Sequence, residues 1–480
     1  MLGRVDNLNS NLSTKDKNRF SFELIVVSSL FFVGSILNYL AYSSIEPVIT
    51  GLIFIALGTL CLLPFRAMGL YEIGVFQLTF AVNWITAGIA AIYANWWNDP
   101  FQVESDASTF YELSSSGHGG YDLEVLKSIT EGSGAVYVWQ KVYAFFDELG
   151  FENLHSIGIS VNVMLVALTG VCAIKMAREV YGDDFYRLNR LLLLFCSCGM
   201  FWLFASVHLR DASILFSTTL LMLFWVRCLR RFTMMNLVFV VLSSGLAFVS
   251  MEYLRKEFLF MPLAMCFAGL SSLLFDATIK GWNRLFVYIS LAIVSVPAIY
   301  IFLAIKMGLT DSLSGGYEGY SELSTESSDS GSLGSAFIVN AILPIRLILG
   351  SIYLFIFPIP CWIGFQVGTV YNLLKSCNVI YMYFVIPLLI VAILRIVKNK
   401  NYRTAPILFL LFTFIGFTLA IAGTSLETRH FGVFLVPILI LSLIPDFRVA
   451  ADRLSCKITG GIFAAIMVLL HLAWAAVKLV

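Results

Sequence analysis

Apolar positions in this chain neither alternate nor recur on a single helical face. They run on in stretches of about 17 to 25 residues with few charges, the length a helix needs to cross a bilayer. Such runs fall at 22–43, 48–65, 73–94, 157–178, 191–208, 212–229, 234–253, 258–275, 285–306, 379–397, 405–423, 431–445 and 459–478. The pattern predicts an all-α polytopic membrane protein with about 13 transmembrane helices. The stretch 336–375 breaks the rule, because Pro344, Pro358 and Pro360 interrupt it and Arg346 lies inside it. Proline removes a backbone donor, and interrupted backbone at membrane depth survives only where protein or water satisfies it, so a re-entrant or hairpin element is expected near 336–375. The polar gaps divide the chain into a tail (1–21), three helices (22–94), a loop (95–156), six helices (157–306), a second loop (307–335) and a C-terminal section (336–480).

Composition agrees: 59% of residues are apolar and 13% charged, with a mean hydropathy of +0.86. The chain has no basic run that could track a phosphate backbone, so no nucleic-acid partner is expected. The nine cysteines lie mostly in apolar runs without a C-x-x-C, which points to small core residues rather than a disulfide or zinc framework. The first run is long enough to span and has no small-residue cleavage site, so it reads as a helix rather than a removed leader. Orientation follows from Lys and Arg. Placing the tail, Arg66, 175–190, 227–231, 280–284, 395–403 and 448–457 on the cytoplasmic side keeps the helices in unbroken alternation. Both long loops then face outward.

The first loop carries pattern. Val136, Trp139, Tyr143 and Phe146 recur at i, i+3, i+7 and i+10, one face of an interfacial helix stopped by Gly150. Upstream, Glu104 and Asp106 lead into a short helix that Asp106 could cap. The second loop is rich in Ser, Gly and acids, a composition that buries no core and reads as a solvated segment or a lid. Charges near the membrane then gather on one face: Glu104, Asp106, Arg210, Asp211, Arg255, Glu257, Arg346, Glu427, Arg429 and His430. Charge at membrane depth is costly and usually functional. The set reads as a site for an anionic, partly lipidic substrate; as single residues, each also reads as a locally paired charge that fixes helix depth.

The order of short motifs resembles a family. Ser105-Asp106-Ala107 with Tyr111 behind it, Asn162 within a span, His208-Leu209-Arg210-Asp211-Ala212 at a helix start, Arg255-Lys256-Glu257, and Glu427-Thr428-Arg429-His430 followed by Pro437 resemble the GT-C membrane glycosyltransferases, above all bacterial relatives of the protein-mannosyltransferase and aminoarabinose-transferase group. Phe357-Pro-Ile-Pro-Cys-Trp362 is similar to an outer-face motif of polysaccharide-assembly membrane proteins. The resemblance implies a transferase that takes sugar from a polyprenyl-(pyro)phosphate carrier to a glycan or lipid acceptor on the extracytoplasmic face. It implies Asp106 as acid/base and Glu104 as its helper or as ligand to a divalent metal. Arg210, Arg255 and Arg429, with His430 and Arg346, would bind the donor phosphate, and Asp211, Glu257, Glu427 and Tyr111 would support them. Two alternatives stand beside it, a Wzy-like repeat-unit polymerase and a transporter or flippase. Outer loops without an Asn-x-Ser/Thr sequon favour a bacterial inner membrane, with the N-terminus cytoplasmic.

Overall fold

The computed structural model describes residues 14–63, 69–96, 105–115, 121–130, 132–152, 154–276, 338, 341–366, 369–423 and 426–479. Every regular element among them is helical. Helices α1 (Thr14–Tyr42), α2 (Glu46–Leu62) and α3 (Leu70–Trp96) come first. The close approach of α1 to α3 rests on Gly34 and Gly88, where a Cβ would meet Trp84 and Leu37 at 2.9 and 2.8 Å. Small residues let helices approach where no hydrophobic effect drives them together. Buried Asn38 is satisfied there, its amide donating to the Gly34 and Trp84 carbonyls at 2.9 Å.

The first loop holds α4 (Ser105–Ser115), α5 (Leu123–Ile129) and α6 (Ser133–Glu148). The predicted face of α6 is its buried face: Val136, Trp139, Tyr143 and Phe146 pack into the protein core. Gly150 ends it with φ +82°, a conformation that favours glycine. Then come α7 (Leu154–Tyr181), α8 (Phe185–Cys196), α9 (Gly199–Ser206), α10 (Asp211–Arg230), α11 (Met234–Leu254) and α12 (Met261–Phe275). After α13 (Leu343–Ile356) follow α14 (Val370–Lys398), α15 (Ala405–Gly423), α16 (Thr428–Gly432), α17 (Leu435–Leu441) and α18 (Ala450–Leu479).

Eight helices among the described residues are long and apolar enough to cross a membrane, nine if α8 and α9, bent by 55°, form one span. Three further apolar runs are shorter than expected. Helices α2 and α12 have 17 and 15 residues. The run 431–445 is broken into the ends of α16 and α17, with Leu435, Val436, Ile438, Leu439, Ile440, Leu441, Leu443 and Ile444 wholly buried inside protein. A run that is apolar all round looks the same whether lipid or protein covers it. The run 285–306 and the second loop lie outside the described residues. Within 336–375 the described chain forms α13, a turn through Pro358 and Pro360 with cis bonds, a short 3₁₀ turn (Ile363–Phe365) and the start of α14.

One end of the bundle carries the first loop. At the opposite end, segments read as cytoplasmic are tied to one another: Lys175 to Glu72 at 2.9 Å, Arg178 to Asp183 at 2.8 Å, Arg448 to Asp184 at 2.6 Å and Arg187 to Asp446 at 3.4 Å. All nine cysteines are free thiols.

Candidate functional site

The site is assembled at the loop end from four separate segments. The first is the turn between α9 and α10. Asn162 of α7, fully buried, donates its amide to the Val207 and Leu209 carbonyls at 3.0 and 3.1 Å. His208, between them, meets the Tyr143 hydroxyl through Nε2 at 2.5 Å and lies against the Trp139 ring with centroids 4.0 Å apart. Pinned on both sides, the turn presents Arg210 and Asp211, both buried. The Arg210 guanidinium lies over the Phe110 ring of α4 at 5.5 Å. Gly132 permits this approach, since a Cβ there would fall 2.9 Å from Phe110 and 3.2 Å from the Arg210 stem.

The second segment is the end of α11. Arg255 is 3% exposed; its Nη1 stands 3.8 Å from Asp211 Oδ1 and its guanidinium 5.8 Å from the Phe258 ring. Both Asp211 oxygens are buried without a hydrogen-bond donor among the described residues, so the contact with Arg255 is charge against charge. The third is α4, whose first turn holds Asp106. Asp106 is not a cap: its Oδ2 accepts a hydrogen bond from Arg429 Nη2 at 2.7 Å, across 323 positions of sequence.

The fourth segment is α16 with its approach. Glu427 caps this helix by accepting the Arg429 backbone N–H at 3.4 Å and receives a hydrogen bond from the Tyr371 hydroxyl. Lys375 Nζ stands 3.6 Å from Glu427 and over the Tyr371 and Phe357 rings at 5.3 and 5.8 Å. Burial alone would raise the Glu427 carboxyl, but Lys375, then Arg429 and His430, and the Tyr371 hydrogen bond hold it far below the usual carboxylate range. Burial would lower the Arg429 guanidinium, and the nearby charges of Asp211, Glu427 and Asp106 outweigh it and keep it firmly protonated. His430 is pushed the other way, by burial first and then by Arg255, Arg429 and Arg210 against the pull of Glu427, so at neutral pH it is a neutral imidazole.

The structure thus joins Asp106, Arg210, Asp211, Arg255, Glu427, Arg429 and His430 in one electrostatic cluster. Tyr111 lies beside it in an aromatic cage, 5.5 Å from the His155 ring and 5.9 Å from the His208 ring. Arg346, buried on α13, donates through Nε to the Ala422 carbonyl at 3.3 Å, five residues before Glu427 in the sequence. Glu104 and the side chain of Glu257 lie outside the described residues. No cluster of three or more His, Cys, Asp or Glu side chains among the described residues could hold a metal ion. Sequence reasoning passed over Lys375 and Tyr371, since a lysine near a helix start reads as an interface anchor; Phe357, flagged only as part of a proline motif, turns out to face that lysine.

Arg210, Arg255, Arg429 and Lys375 with three carboxylates in a largely buried space are expensive to assemble, and replacing such groups by apolar ones is often neutral or stabilising. Against known protein families, curated proteins and solved structures, the chain matches none.

Proposed function

We propose that this protein is a membrane glycosyltransferase that takes sugar from a polyprenyl-phosphate carrier at the loop end of the bundle, with that end facing away from the cytoplasm. The observation that carries the reading is the Asp106–Arg429 contact beside the buried Arg210 and Arg255. A sugar held through its anomeric phosphate brings its own leaving group. Catalysis then needs a base for the acceptor hydroxyl and fixed positive charge where the phosphate departs. Asp106 is the most exposed of the three carboxylates of the cluster, its side chain 40% exposed against 27% for Glu427 and 1% for Asp211. Arginine forks match phosphate oxygens geometrically. In this mechanism the donor phosphate takes over Arg429 and releases Asp106. Asp106 removes the acceptor proton as the acceptor oxygen attacks the anomeric carbon, and the carbon–phosphate oxygen bond breaks with its electron pair passing to the phosphate. The base is thereby freed only when donor is bound.

The same reading includes about 13 spans, a cytoplasmic N-terminus and a bacterial inner membrane, as the apolar runs and the distribution of Lys and Arg suggest. A Wzy-like polymerase uses the same leaving-group chemistry with a longer, oligosaccharide donor. Transport draws its support from the 55° bend between α8 and α9, since broken helices often mark transporter sites. Here the bend is closed by protein: Asn378 Oδ1 accepts the Met200 N–H at 3.1 Å, and the Tyr381 hydroxyl donates to the Leu194 carbonyl at 2.8 Å. The freed backbone groups are satisfied and no charge stands at the break, which favours a transferase.

Lipid extracts of cells lacking the protein test this. Accumulated carrier bearing one sugar supports the transferase, an unpolymerised repeat unit replaces it with the polymerase, and an unchanged pool overturns both.

A further inference from the structure

Helix α18 is the least embedded of the eight long apolar helices, with 6% of its apolar window buried. Among the described residues, its hydrogen bonds to other segments fall at two places. At the end read as cytoplasmic, Asp452 pairs with Arg395 and its Oδ2 accepts the Asp446 N–H at 2.9 Å. Toward the other end stands His471. Its Nδ1 meets the Met467 carbonyl of its own helix at 2.7 Å, and its Nε2 meets the Cys361 backbone N–H at 3.2 Å. A carbonyl only accepts and a backbone N–H only donates, so the ring proton sits on Nδ1 and Nε2 is the acceptor. The ring also lies against Trp362, centroids 5.1 Å apart, and edge-on to Tyr383 of α14 at 6.2 Å. An ionisable side chain at membrane depth is costly and usually functional.

What His471 grips is the turn that carries Phe357, four positions before Cys361. Phe357 is stacked on Tyr353 of α13 with centroids 4.2 Å apart, and Lys375 Nζ lies 5.8 Å from the centre of its ring. On its other side the turn is fastened to α14. Ser376 Oγ accepts the Gly364 N–H at 3.0 Å, and Gly364 lies so near the Asn372 carbonyl that no Cβ would fit. The turn is thus held between α14 and α18, and Lys375, which it faces, stands 3.6 Å from Glu427. We propose that His471 is a positioning residue for the candidate site: by holding the 358–362 turn it keeps Phe357 against Lys375, and so Lys375 against Glu427. The effect on the reaction rests on the transferase reading, while the clamp itself rests on geometry alone. The consequence for the donor follows from charge. With the Lys375 ammonium displaced, the Glu427 charge falls more heavily on Arg429, whose backbone N–H it already accepts, and less positive potential is left for a donor phosphate.

Cys361 reports on the clamp directly. The full-length protein in phospholipid vesicles is alkylated with N-ethylmaleimide and read residue by residue by mass spectrometry, with Cys377 of α14, also half-buried, as internal reference. His471→Leu removes the acceptor, and Cys361 alkylation should rise about fivefold, the factor set by the net worth of one ordinary hydrogen bond. His471→Gln places an amide oxygen as many bonds from Cα as Nε2 and should restore most of the protection. Trp362→Leu, a change at an exposed ring, should loosen the turn in the same direction and serves if His471→Leu fails to fold. Two further readings separate positioning from fastening. The unfolding midpoints of His471→Leu, Lys375→Met and the double variant should be non-additive. Tyr383, the α14 ring beside His471, is eight residues from Lys375, about 12 Å of helix, a separation at which independent sites add. In transfer assays His471→Leu should raise the donor concentration for half-maximal rate with little change in maximal rate, and His471→Gln should return to the original curve. Unchanged Cys361 alkylation in His471→Leu overturns the clamp. Additive midpoints, or an unaltered transfer curve with Cys361 freed, reduce His471 to a fastening for α18 and overturn the positioning role. Alkylation and midpoints need no donor, so their success in a protein that transfers no sugar would count against the transferase alone.

Discussion

Replacing Asp106 with Asn separates base from scaffold, because the two roles differ in size. The amide oxygen of Asn can still accept from Arg429 Nη2, now 2.7 Å from Asp106 Oδ2. What it loses structurally is a charge pair whose carboxylate is 40% exposed, worth about 1 kcal/mol or less once solvent screening is counted. It also loses a favourable charge in the first turn of α4, worth about 0.3–1 kcal/mol. The fold should therefore give up no more than about 2 kcal/mol. If Asp106 takes the acceptor proton, transfer should fall at least 10²-fold, about 2.7 kcal/mol in the barrier. The assay is initial transfer rate in vesicles from a lipid-linked sugar donor, with thermal unfolding of the same preparation in detergent beside it. Expected is a large loss of rate with a nearly unchanged unfolding midpoint. Near-normal transfer refutes the base; a rate that falls only in step with the folded fraction reduces Asp106 to a tether for Arg429.

Arg210→Lys, Arg255→Lys and Arg429→Lys preserve charge but lose the fork, so each should raise the donor concentration needed for half-maximal transfer while the protein still inserts; three unchanged titration curves would leave the arginines as membrane anchors. In a background without native cysteines, Tyr121→Cys should react with an impermeant thiol reagent in intact cells and Asn401→Cys should not; the reverse pattern inverts the proposed topology. Glu427, held below the usual carboxylate range on folding, contributes stability that is fully present above its unfolded value of about 4.3 and is lost as pH falls through its depressed folded value. Unfolding midpoints should thus show a constant contribution from Glu427 between about pH 7 and 5 and a decline below about pH 4.3, and Glu427→Gln should flatten that acid limb; a limb of undiminished slope in the variant would sink the claim.

What could be read in advance depended on whether the signal was local. The α6 stripe Val136, Trp139, Tyr143 and Phe146 and the stop at Gly150 are written in consecutive residues and are found where the periodicity puts them. The prolines at 358 and 360 likewise mark where long helix fails, while Pro344 stands in the first turn of α13. The run 431–445 was legible as apolar but not as buried within protein, because hydropathy records exclusion from water and not the identity of the excluding medium. The α8–α9 bend has no local cause strong enough to read. It depends on Asn378, some 180 positions on, whose side-chain oxygen accepts a freed backbone N–H.

The site divides along the same line. Each cluster charge was visible as an unusual residue near a helix end, but which carboxylate meets which cation is a property of packing. Local spacing paired Arg210 with Asp211 and Arg429 with Glu427. The folded chain also sets Arg255 at Asp211 and Asp106 at Arg429, and brings Lys375 and Tyr371 to Glu427, which keeps the Arg429 backbone N–H as a hydrogen bond from its near neighbour. Neighbours in sequence at a helix start point in different directions, so i, i+1 charges rarely meet while charges on different helix ends do. The exchange of partners has a mechanistic consequence. A site built of local pairs would keep each arginine beside its own acid in every state. Pairs made across segments, by contrast, can open, and in the proposed mechanism the arrival of a donor phosphate at Arg429 would open the one that restrains Asp106.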